Sequence, residues 1–237
     1  MKTVLITGAS GGIGSEIAEK FGGDYNVVIN YNRSEERAQA VARAVGGFPV
    51  KADVSSPEEV AAMFKEIEER FGGVDVLINN AGVSKSQLFT DCTEEIWNEI
   101  IDVNLSGVYR VTKHALPHMI RNHSGSIINI SSMWGEVGAS CEAAYSAAKA
   151  GVIGLTKALA KELGPSGIRV NCITPGLIDT PMNQEHDEET ITVLVEETPL
   201  MRIGTPEDVG GLARFLAEES SSFITGQVIG VNGGFVI

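Results

Sequence analysis

A glycine-rich turn near the start of the chain separates a strand-like run from a helix-like one. Residues 2–7 read KTVLIT, residues 8–14 read GASGGIG, and an amphipathic pattern follows from Ser15 to Phe21. Glycine lets the backbone approach a bulky anion, and the free N–H groups at a helix start attract it. Isolated glycine turns are common, but one placed after the first strand is typical of a dinucleotide-binding βαβ unit.

Strand-like and helix-like segments alternate along the remaining chain. Further strands are predicted at 26–31, 48–52, 74–79, 126–130, 168–173 and 226–234, and helices at 34–45, 57–71, 93–121, 145–163 and 206–217. Pro117 predicts a bend in the long helical region 93–121. The alternation predicts one α/β domain over residues 1–237, a doubly wound parallel sheet of about seven strands with helices on both faces. Its ligand crevice would lie at the carboxyl ends of the strands.

Tyr145 and Lys149 are four residues apart in an alanine-rich segment, so a helix would place them on one face. A fixed ammonium lowers the pKa of a nearby phenol and makes it a useful acid near neutral pH. Ser132 lies upstream, across a glycine-containing loop, and could present its hydroxyl to the same substrate oxygen. Taken by itself, the spacing also suits an ordinary surface pair.

The end of the second strand bears on cofactor choice. It reads Asn30, Tyr31, Asn32, Arg33, with no carboxylate before Glu35. NAD-selective sites usually place a carboxylate there for the adenosine 2′-hydroxyl, whereas an arginine accommodates a 2′-phosphate. NADP(H) is therefore favoured and NAD(H) remains possible, with Arg33 as a solvated loop charge the simpler alternative.

The charge balance restricts the partners of the protein. Eighteen basic and 31 acidic residues give a formal net charge of −13, which disfavours nucleic acid, an anionic membrane surface and any strongly acidic macromolecule. No apolar run of about 18 residues and no signal-peptide pattern is present, so we expect a cytoplasmic protein. The three cysteines are scattered without metal-ligand spacing, and no metal site is expected.

Several motifs occur together and in a fixed order: Thr7-Gly8 through Gly12-Ile13-Gly14, Asp53, 79-NNAG-82, Asn104, Ser132, Tyr145-x3-Lys149 and Pro175-Gly176. On these motifs the sequence resembles the short-chain dehydrogenase/reductase family over essentially its whole length, which implies a Rossmann fold. The resemblance implies that Tyr145 donates a proton to a ketone and that Ser132 polarises the carbonyl oxygen. It also implies that Lys149 binds the nicotinamide ribose and lowers the Tyr145 pKa, and that Asn104 orders a proton-relay water.

The same resemblance implies a set of cofactor contacts. Residues 8–14 would cradle the phosphates, Asp53 would contact adenine, residues 79–82 would border the cofactor, and the segment after Pro175 would fix the carboxamide. The residues so assigned are Gly8, Ser10, Gly12, Ile13, Gly14, Asn32, Arg33, Asp53, Val54, Asn80, Ala81, Gly82, Tyr145, Lys149, Pro175, Gly176, Ile178 and Thr180.

Within the family, the sequence looks most like the 3-oxoacyl-acyl-carrier-protein reductases of fatty acid biosynthesis. The implied substrate is a ketone, which could be thioester-bound or protein-bound. Ser126 and Ser166 stand where those enzymes commonly carry arginines that grip the acidic carrier, and Gly11 stands where an arginine often supports NADPH binding. Like charge would also steer an acidic carrier poorly.

Residues 131–168 also look like a subgroup that reduces an aminopentanone modification on elongation factor P. Glu136 or Glu142 could then attract the substrate's ammonium, although both also suit charges on the rim of a site. A cofactor-sensing protein without catalysis is a further alternative, against which the intact set of Ser132, Tyr145, Lys149 and Asn104 argues.

Two segments carry expectations beyond the site. Residues 183–200 follow a strand end and are acidic and aperiodic, with a possible short helix at 191–196, so they are predicted to form a substrate lid. Small residues along the helix 145–163 permit close helix packing and predict a subunit interface, as in a homotetramer; internal packing is the alternative.

Overall fold

The computed structural model describes residues 1–183 and 187–237. Seven parallel strands form one sheet in the order β3-β2-β1-β4-β5-β6-β7. They are β1 Thr3–Ile6, β2 Asn26–Tyr31, β3 Phe48–Lys51, β4 Val76–Asn79, β5 Gly125–Ile130, β6 Ile168–Pro175 and β7 Val228–Val231. The predicted doubly wound α/β fold is confirmed, and the strand order reverses between β1 and β4, where ligands of such sheets bind.

Helices cover both faces of the sheet. They are α1 Gly12–Phe21, α2 Glu35–Val45, α3 Pro57–Phe71, α4 Glu94–Ile101, α5 Gly107–Arg121, α6 Trp134–Val137, α7 Ala143–Leu163, α8 Glu188–Glu197 and α9 Pro206–Ala217. The buried apolar side chains of α1, α2 and α9 pack with one face of the sheet, and those of α3, α5 and α7 pack with the other. Because both faces of the sheet are buried, its strands and the loops at their carboxyl ends are held in place.

The long helical region is interrupted at Asn104, and α5 continues through Pro117, where the bend stays a prediction. A π-helical segment, Asp102–Ser106, separates α4 from α5, and Pro117 lies inside α5. Asn104 Nδ2 donates to the carbonyl of Ile100 at 2.9 Å. A side-chain amide that occupies a helix carbonyl competes with the backbone ladder, which accounts for the wider turn at this point.

The segment after β6 differs in detail from the prediction. The helix α8 is longer than the expected 191–196, because the carboxylate of Asp187 accepts from Thr190 N at 2.8 Å and caps its start. Residues 184–186 of the expected lid lie outside the described residues. Within the described part of the chain, no helix has both the length and the apolar character that a membrane crossing requires.

Candidate active site

The sequence-predicted catalytic residues come together at the carboxyl edge of the sheet. Ser132 follows β5, and Tyr145 and Lys149 occupy the first two turns of α7, which packs against β6. All three side chains are buried, with 8% of Ser132, 8% of Tyr145 and 4% of Lys149 exposed. Polar groups held in such a dry setting act on one another more strongly than they would in water.

Tyr145 hydrogen-bonds to the hydroxyl of Ser132. Burial raises the pKa of the Tyr145 phenol well above its usual value, the nearby carboxylate of Glu142 raises it further, and the Ser132 hydrogen bond lowers it in part. The pKa of Tyr145 is therefore raised, whereas the sequence predicted a lowered value. The cost of removing the phenolate from water is larger than the stabilisation that the Ser132 hydrogen bond provides. The phenol is therefore held in its protonated form, the form that donates a proton.

Lys149 reaches beneath the tyrosine. Its Nζ donates to the carbonyl of Ile130 at 2.9 Å and lies 5.5 Å from the centroid of the Tyr145 ring. Burial lowers the pKa of Lys149 to about 8, and the neighbouring Cys172 opposes this shift. The four-residue spacing thus places the phenol and the ammonium on one buried helix face, as the sequence predicted.

Ser131 and Ser132 have different surroundings. Ser131 Oγ donates to the backbone carbonyl of Lys149 at 2.8 Å, whereas Ser132 Oγ accepts from Trp134 N at 3.1 Å and faces Tyr145. Ser131 therefore positions α7, and Ser132 alone is directed towards the reacting group. The choice of Ser132 over Ser131, which the sequence made by resemblance, agrees with this geometry.

A buried chain of amides and hydroxyls fastens α7 to the sheet. Asn79 Nδ2 donates to Asn129 Oδ1 at 2.8 Å and to Thr112 Oγ1 at 3.0 Å, and Asn129 Nδ2 donates to Thr156 Oγ1 at 2.9 Å. No role was predicted from the sequence for Asn129, Thr156 or Ser131. The available signal was a buried polar residue, Asn129, near the end of β5, followed by a second one, Ser131, two positions later.

Asn104 lies beside the loop after β4, next to Gly82 and Val83. Its side chain donates to the carbonyl of Val83 at 2.8 Å and accepts from Val83 N at 3.2 Å. A Cβ added to Gly82 would lie 2.7 Å from Asn104 Oδ1 and 3.5 Å from Lys149 Nζ. Gly82 thus permits the close approach of Asn104 to the lysine. Because the Asn104 amide is already bonded to backbone groups, its part in ordering a relay water stays a prediction.

The glycine turn forms a cradle at the start of α1. Gly8 has φ +63°, and a Cβ there would lie 2.9 Å from Ala81 Cα. Asn80 Nδ2 donates to the carbonyls of Thr7 and Gly8 at 2.9 and 3.2 Å. Among the described residues, no side chain caps the first N–H groups of α1. A close-packed loop that ends in free helix N–H groups fits the pyrophosphate of a dinucleotide.

The other glycine-turn positions have more room. A Cβ at Gly12, where φ is +56°, would lie 3.3 Å from Thr180 Cγ2, so Thr180 lies over the turn. A Cβ at Gly11 would meet no atom within 4 Å. The turn is consequently open to solvent at Gly11 and closed by Thr180 at Gly12. Ser10, Ile13 and Gly14 complete the turn and the first residues of α1.

The expected adenosine end lies after β2 and β3. Asn32 Nδ2 donates to Asp53 Oδ2 at 2.8 Å, and Ser55 donates to Asp53 Oδ1 from both its backbone and its hydroxyl, at 2.8 and 2.6 Å. Burial would raise the pKa of Asp53, but these hydrogen bonds and the charge of Arg33 outweigh it and lower the pKa. Arg33 is exposed beside this carboxylate, and Val54 is buried next to it.

The end of β6 borders the segment that carries Ser132. Met133 N donates to the carbonyl of Pro175 at 3.0 Å, and Gly176 N donates to the carbonyl of Val231 at 2.9 Å. Ile178 is buried, and it pairs with Gly204 across an isolated bridge. The segment expected at the carboxamide is thus tied both to the serine segment and to β7.

Residues 8–236 match the model of a family described as enoyl-(acyl carrier protein) reductase. The chain belongs to the short-chain dehydrogenase/reductase family. It is 44% identical over 239 residues to a 3-oxoacyl-[acyl-carrier-protein] reductase of Staphylococcus aureus, with 98% of this chain and 97% of the relative covered. It is 40% identical to the enzyme of the same description from Thermotoga maritima, with 100% of this chain and 98% of the relative covered.

A solved structure of another protein has the same fold as this chain. The structure comes from Agrobacterium tumefaciens, and its assignment as a gluconate dehydrogenase is itself provisional. It superposes with a TM-score of 0.95 at 33% identity and covers 100% of this chain and 97% of its own. The resemblance drawn from the motifs is therefore confirmed, and the protein is an oxidoreductase of this family.

Nothing in residues 1–183 and 187–237 resembles a metal centre. No group of three or more histidine, cysteine or acidic side chains could hold an ion there. All three cysteines are free thiols, Cys92 and Cys141 being half-buried and Cys172 buried. Burial raises the pKa of the Cys172 thiol to about 11, so this neighbour of Lys149 stays neutral. The buried Lys149 thus has an uncharged thiol beside it.

Proposed function

We propose that this short-chain dehydrogenase/reductase reduces the ketone of a 3-oxoacyl thioester with NADPH as the reductant. The observation that carries the proposal is the buried arrangement of Ser132, Tyr145 and Lys149, in which two hydroxyls meet above an ammonium. The substrate class comes from the descriptions of the relatives from Staphylococcus aureus and Thermotoga maritima. These relatives favour a 3-oxoacyl thioester over the aminopentanone and over a protein that only senses the cofactor.

Each residue of the site has a separate role in the proposed reaction. The glycine cradle of residues 8–14 would hold the dinucleotide, whose nicotinamide would supply a hydride for the carbonyl carbon. The hydroxyls of Ser132 and Tyr145 both donate to the carbonyl oxygen, and Tyr145 then transfers its proton to that oxygen. Lys149 balances the negative charge that develops on the phenol as the proton leaves. Because water is excluded from all three side chains, each of these interactions is strong.

A choice of thioesters tests the reaction type. The purified protein with NADPH is expected to consume NADPH with acetoacetyl thioester and not with crotonyl thioester, as followed by absorbance at the nicotinamide band. Reduction of the crotonyl compound alone would overturn the proposal in favour of a carbon–carbon double bond as the acceptor, in line with the family description. Turnover of neither compound would also contradict it.

A protein carrier for the acyl group stays a prediction. Ser126 is buried near the amino end of β5, where its hydroxyl donates to the carbonyl of Leu216 at 2.9 Å. Ser166 lies in a short 3-10 turn before β6. Neither side chain supplies a cation, and the net charge is −13. A soluble thioester arm meets less electrostatic repulsion here than an acidic carrier protein does.

The preference for NADPH rests on Arg33. Arg33 follows the end of β2, and its charge acts on Asp53, which follows β3. An exposed guanidinium there can pair with a 2′-phosphate. The Arg33→Ala variant is expected to bind NADPH about tenfold more weakly, with NADH affinity almost unchanged, as measured by nicotinamide fluorescence titration.

The exposed arginine in α2, Arg37, offers a matched control. Its guanidinium is bonded to Ser34 Oγ at 2.8 Å, and Arg37→Ala is expected to leave the ratio of the two affinities closer to that of the wild type. If Arg33→Ala keeps the wild-type ratio, Arg33 has no part in cofactor choice.

A homotetramer through α7 is also proposed. The exposed side of this helix carries small residues, Ala143, Ala147, Ala150, Gly154 and Ala158. Other small residues are used internally, since Ala144 and Ala148 are buried and a Cβ on Gly151 would lie 2.9 Å from Leu105 Cδ2. Internal packing therefore explains the small residues on the buried side of α7 but not those on its exposed side. The cytoplasmic location expected from the sequence stays a prediction.

A further inference from the structure

The C-terminal tail, residues 232–237, lies against the segment that carries Ser132. The ring of Phe235 meets the indole of Trp134 edge-on, with 5.4 Å between the ring centroids and 89° between the ring planes, an arrangement that aromatic pairs favour. Trp134 also packs against the buried apolar cluster that contains Tyr145. The half-buried indole thus contacts both the end of the chain and the cluster around the phenol.

The backbone of Trp134 acts on the hydroxyl of Ser132. Trp134 N donates to Ser132 Oγ at 3.1 Å. A serine hydroxyl has one proton and rotates to suit its partners. Because this N–H occupies an acceptor position on the oxygen, the hydroxyl proton is directed to another acceptor, which is the ketone oxygen in the proposed reaction. A hydroxyl that accepts a hydrogen bond is also a stronger donor. Trp134 N therefore both orients Ser132 and strengthens it.

The turn that carries Trp134 is short and depends on contacts with other segments. The helix α6 has only four residues, Trp134–Val137. Just before it, Met133 N donates to the carbonyl of Pro175 at 3.0 Å. On the side of α7, a Cβ added to Gly135 would lie 2.8 Å from the carbonyl carbon of Lys149. On the side of the C-terminal tail, the contact is the indole against Phe235. Loss of that ring would leave the turn free to shift on this side.

The C-terminal tail is itself held in place around Phe235. The buried Asn232 donates through Nδ2 to the carbonyl of Val236 at 3.1 Å, and its Oδ1 accepts from Gly234 N at 3.0 Å. Phe235 N donates to the carbonyl of Asn232 at 3.2 Å. These bonds fix the backbone on both sides of Phe235, so its ring is a fixed support for the indole.

We propose that Phe235 is a positioning residue for the reduction, which keeps the hydroxyl of Ser132 directed at the ketone oxygen by packing against Trp134. This inference rests on the proposed ketone reduction and adds to it a role for the end of the chain. The ring acts on the chemical step and not on dinucleotide binding, because the glycine cradle lies at the start of α1.

Removal of the ring tests this role. With acetoacetyl thioester and NADPH, Phe235→Ala is expected to lower kcat by about tenfold, a part of what a donor to the developing oxyanion supplies. NADPH affinity, from fluorescence titration, is expected to stay unchanged. Phe235→Tyr keeps the ring and is expected to restore the wild-type kcat. The matched control, Phe223→Ala, removes a fully exposed ring and is expected to retain wild-type kinetics. If Phe235→Ala does not fold, Phe235→Leu is measured in its place.

The Ser132→Ala background separates positioning from a general loosening of the site. No hydroxyl remains to be oriented there, so the added Phe235→Ala change is expected to lower the residual kcat by less than about twofold. The same fall in both backgrounds, or a wild-type kcat in Phe235→Ala, would overturn the positioning role and leave ketone reduction intact. If the wild type does not reduce acetoacetyl thioester, the proposed function fails, and the role that rests on it fails with it.

Discussion

The Tyr145→Phe variant is expected to lose ketone reduction, with kcat/KM lowered by about 10²- to 10⁴-fold, the range that a positioned general acid supplies. The phenol is buried, its pKa is raised, and it is hydrogen-bonded to Ser132, so no solvent molecule can replace its proton donation. NADPH affinity is expected to change little, because the glycine cradle is untouched. Steady-state kinetics with acetoacetyl thioester and a fluorescence titration of NADPH separate the two effects.

Tyr109 provides a matched control for the loss of a hydroxyl. It lies in α5 with 52% of its surface exposed, and Tyr109→Phe is expected to retain wild-type kinetics. Undiminished turnover by Tyr145→Phe would remove the tyrosine from the catalytic assignment.

The Lys149→Met variant is expected to be inactive and yet more stable than the wild type at neutral pH. Burial lowers the pKa of Lys149 from an ordinary 10.5 to about 8. At about 1.4 kcal/mol per pKa unit, holding the ammonium in the fold costs roughly 3 kcal/mol below pH 8. Methionine removes that cost but leaves the Ile130 carbonyl without its donor, a loss of about 1–3 kcal/mol. A small net gain in the free energy of unfolding remains.

The pH dependence identifies the cause. Because the folded-state pKa of Lys149 lies below the unfolded-state value, the unfolded chain binds the proton more tightly between about pH 8 and 10.5. The free energy of unfolding of the wild type therefore rises with pH through that window, because the cost of burying the ammonium is removed. The difference in the free energy of unfolding between Lys149→Met and the wild type becomes smaller. Urea unfolding at pH 7 and at pH 9.5 measures the difference between the two proteins.

The exposed Lys157, also in α7, is the control, since Lys157→Met is expected to follow the wild-type pH dependence. A Lys149→Met protein with the same stability difference at both pH values would show that the burial cost of the ammonium is not the cause.

Much of the fold could be predicted from local pattern. Apolar runs separated by amphipathic segments predicted the alternation of strands and helices, and α3 and α9 have the predicted bounds, 57–71 and 206–217. The π-helical segment at Asn104 was not predicted, because its cause is the hydrogen bond from Asn104 to Ile100 O. Residue types alone do not tell whether a mid-helix amide will bond to its own helix.

The proximity of the candidate site residues was predicted, but their pKa shifts were not. Spacing placed Tyr145 and Lys149 on one helix face, and the motifs supplied Ser132 and Asn104. The sequence pointed to a lowered pKa for Tyr145, whereas the folded protein raises it. The reason is that desolvation depends on which segments close over a side chain, and that is decided only when distant parts of the chain pack together.

The sequence by itself determined the fold class, the glycine cradle and the pairing of phenol with ammonium, because periodicity and spacing are local properties. Only the tertiary structure decided that Ser131 fastens α7 while Ser132 faces the phenol, and that Ser84 holds Glu142 beside it. These contacts join residues up to 58 positions apart. Their distances follow from how the sheet and helices pack, and no local pattern encodes them.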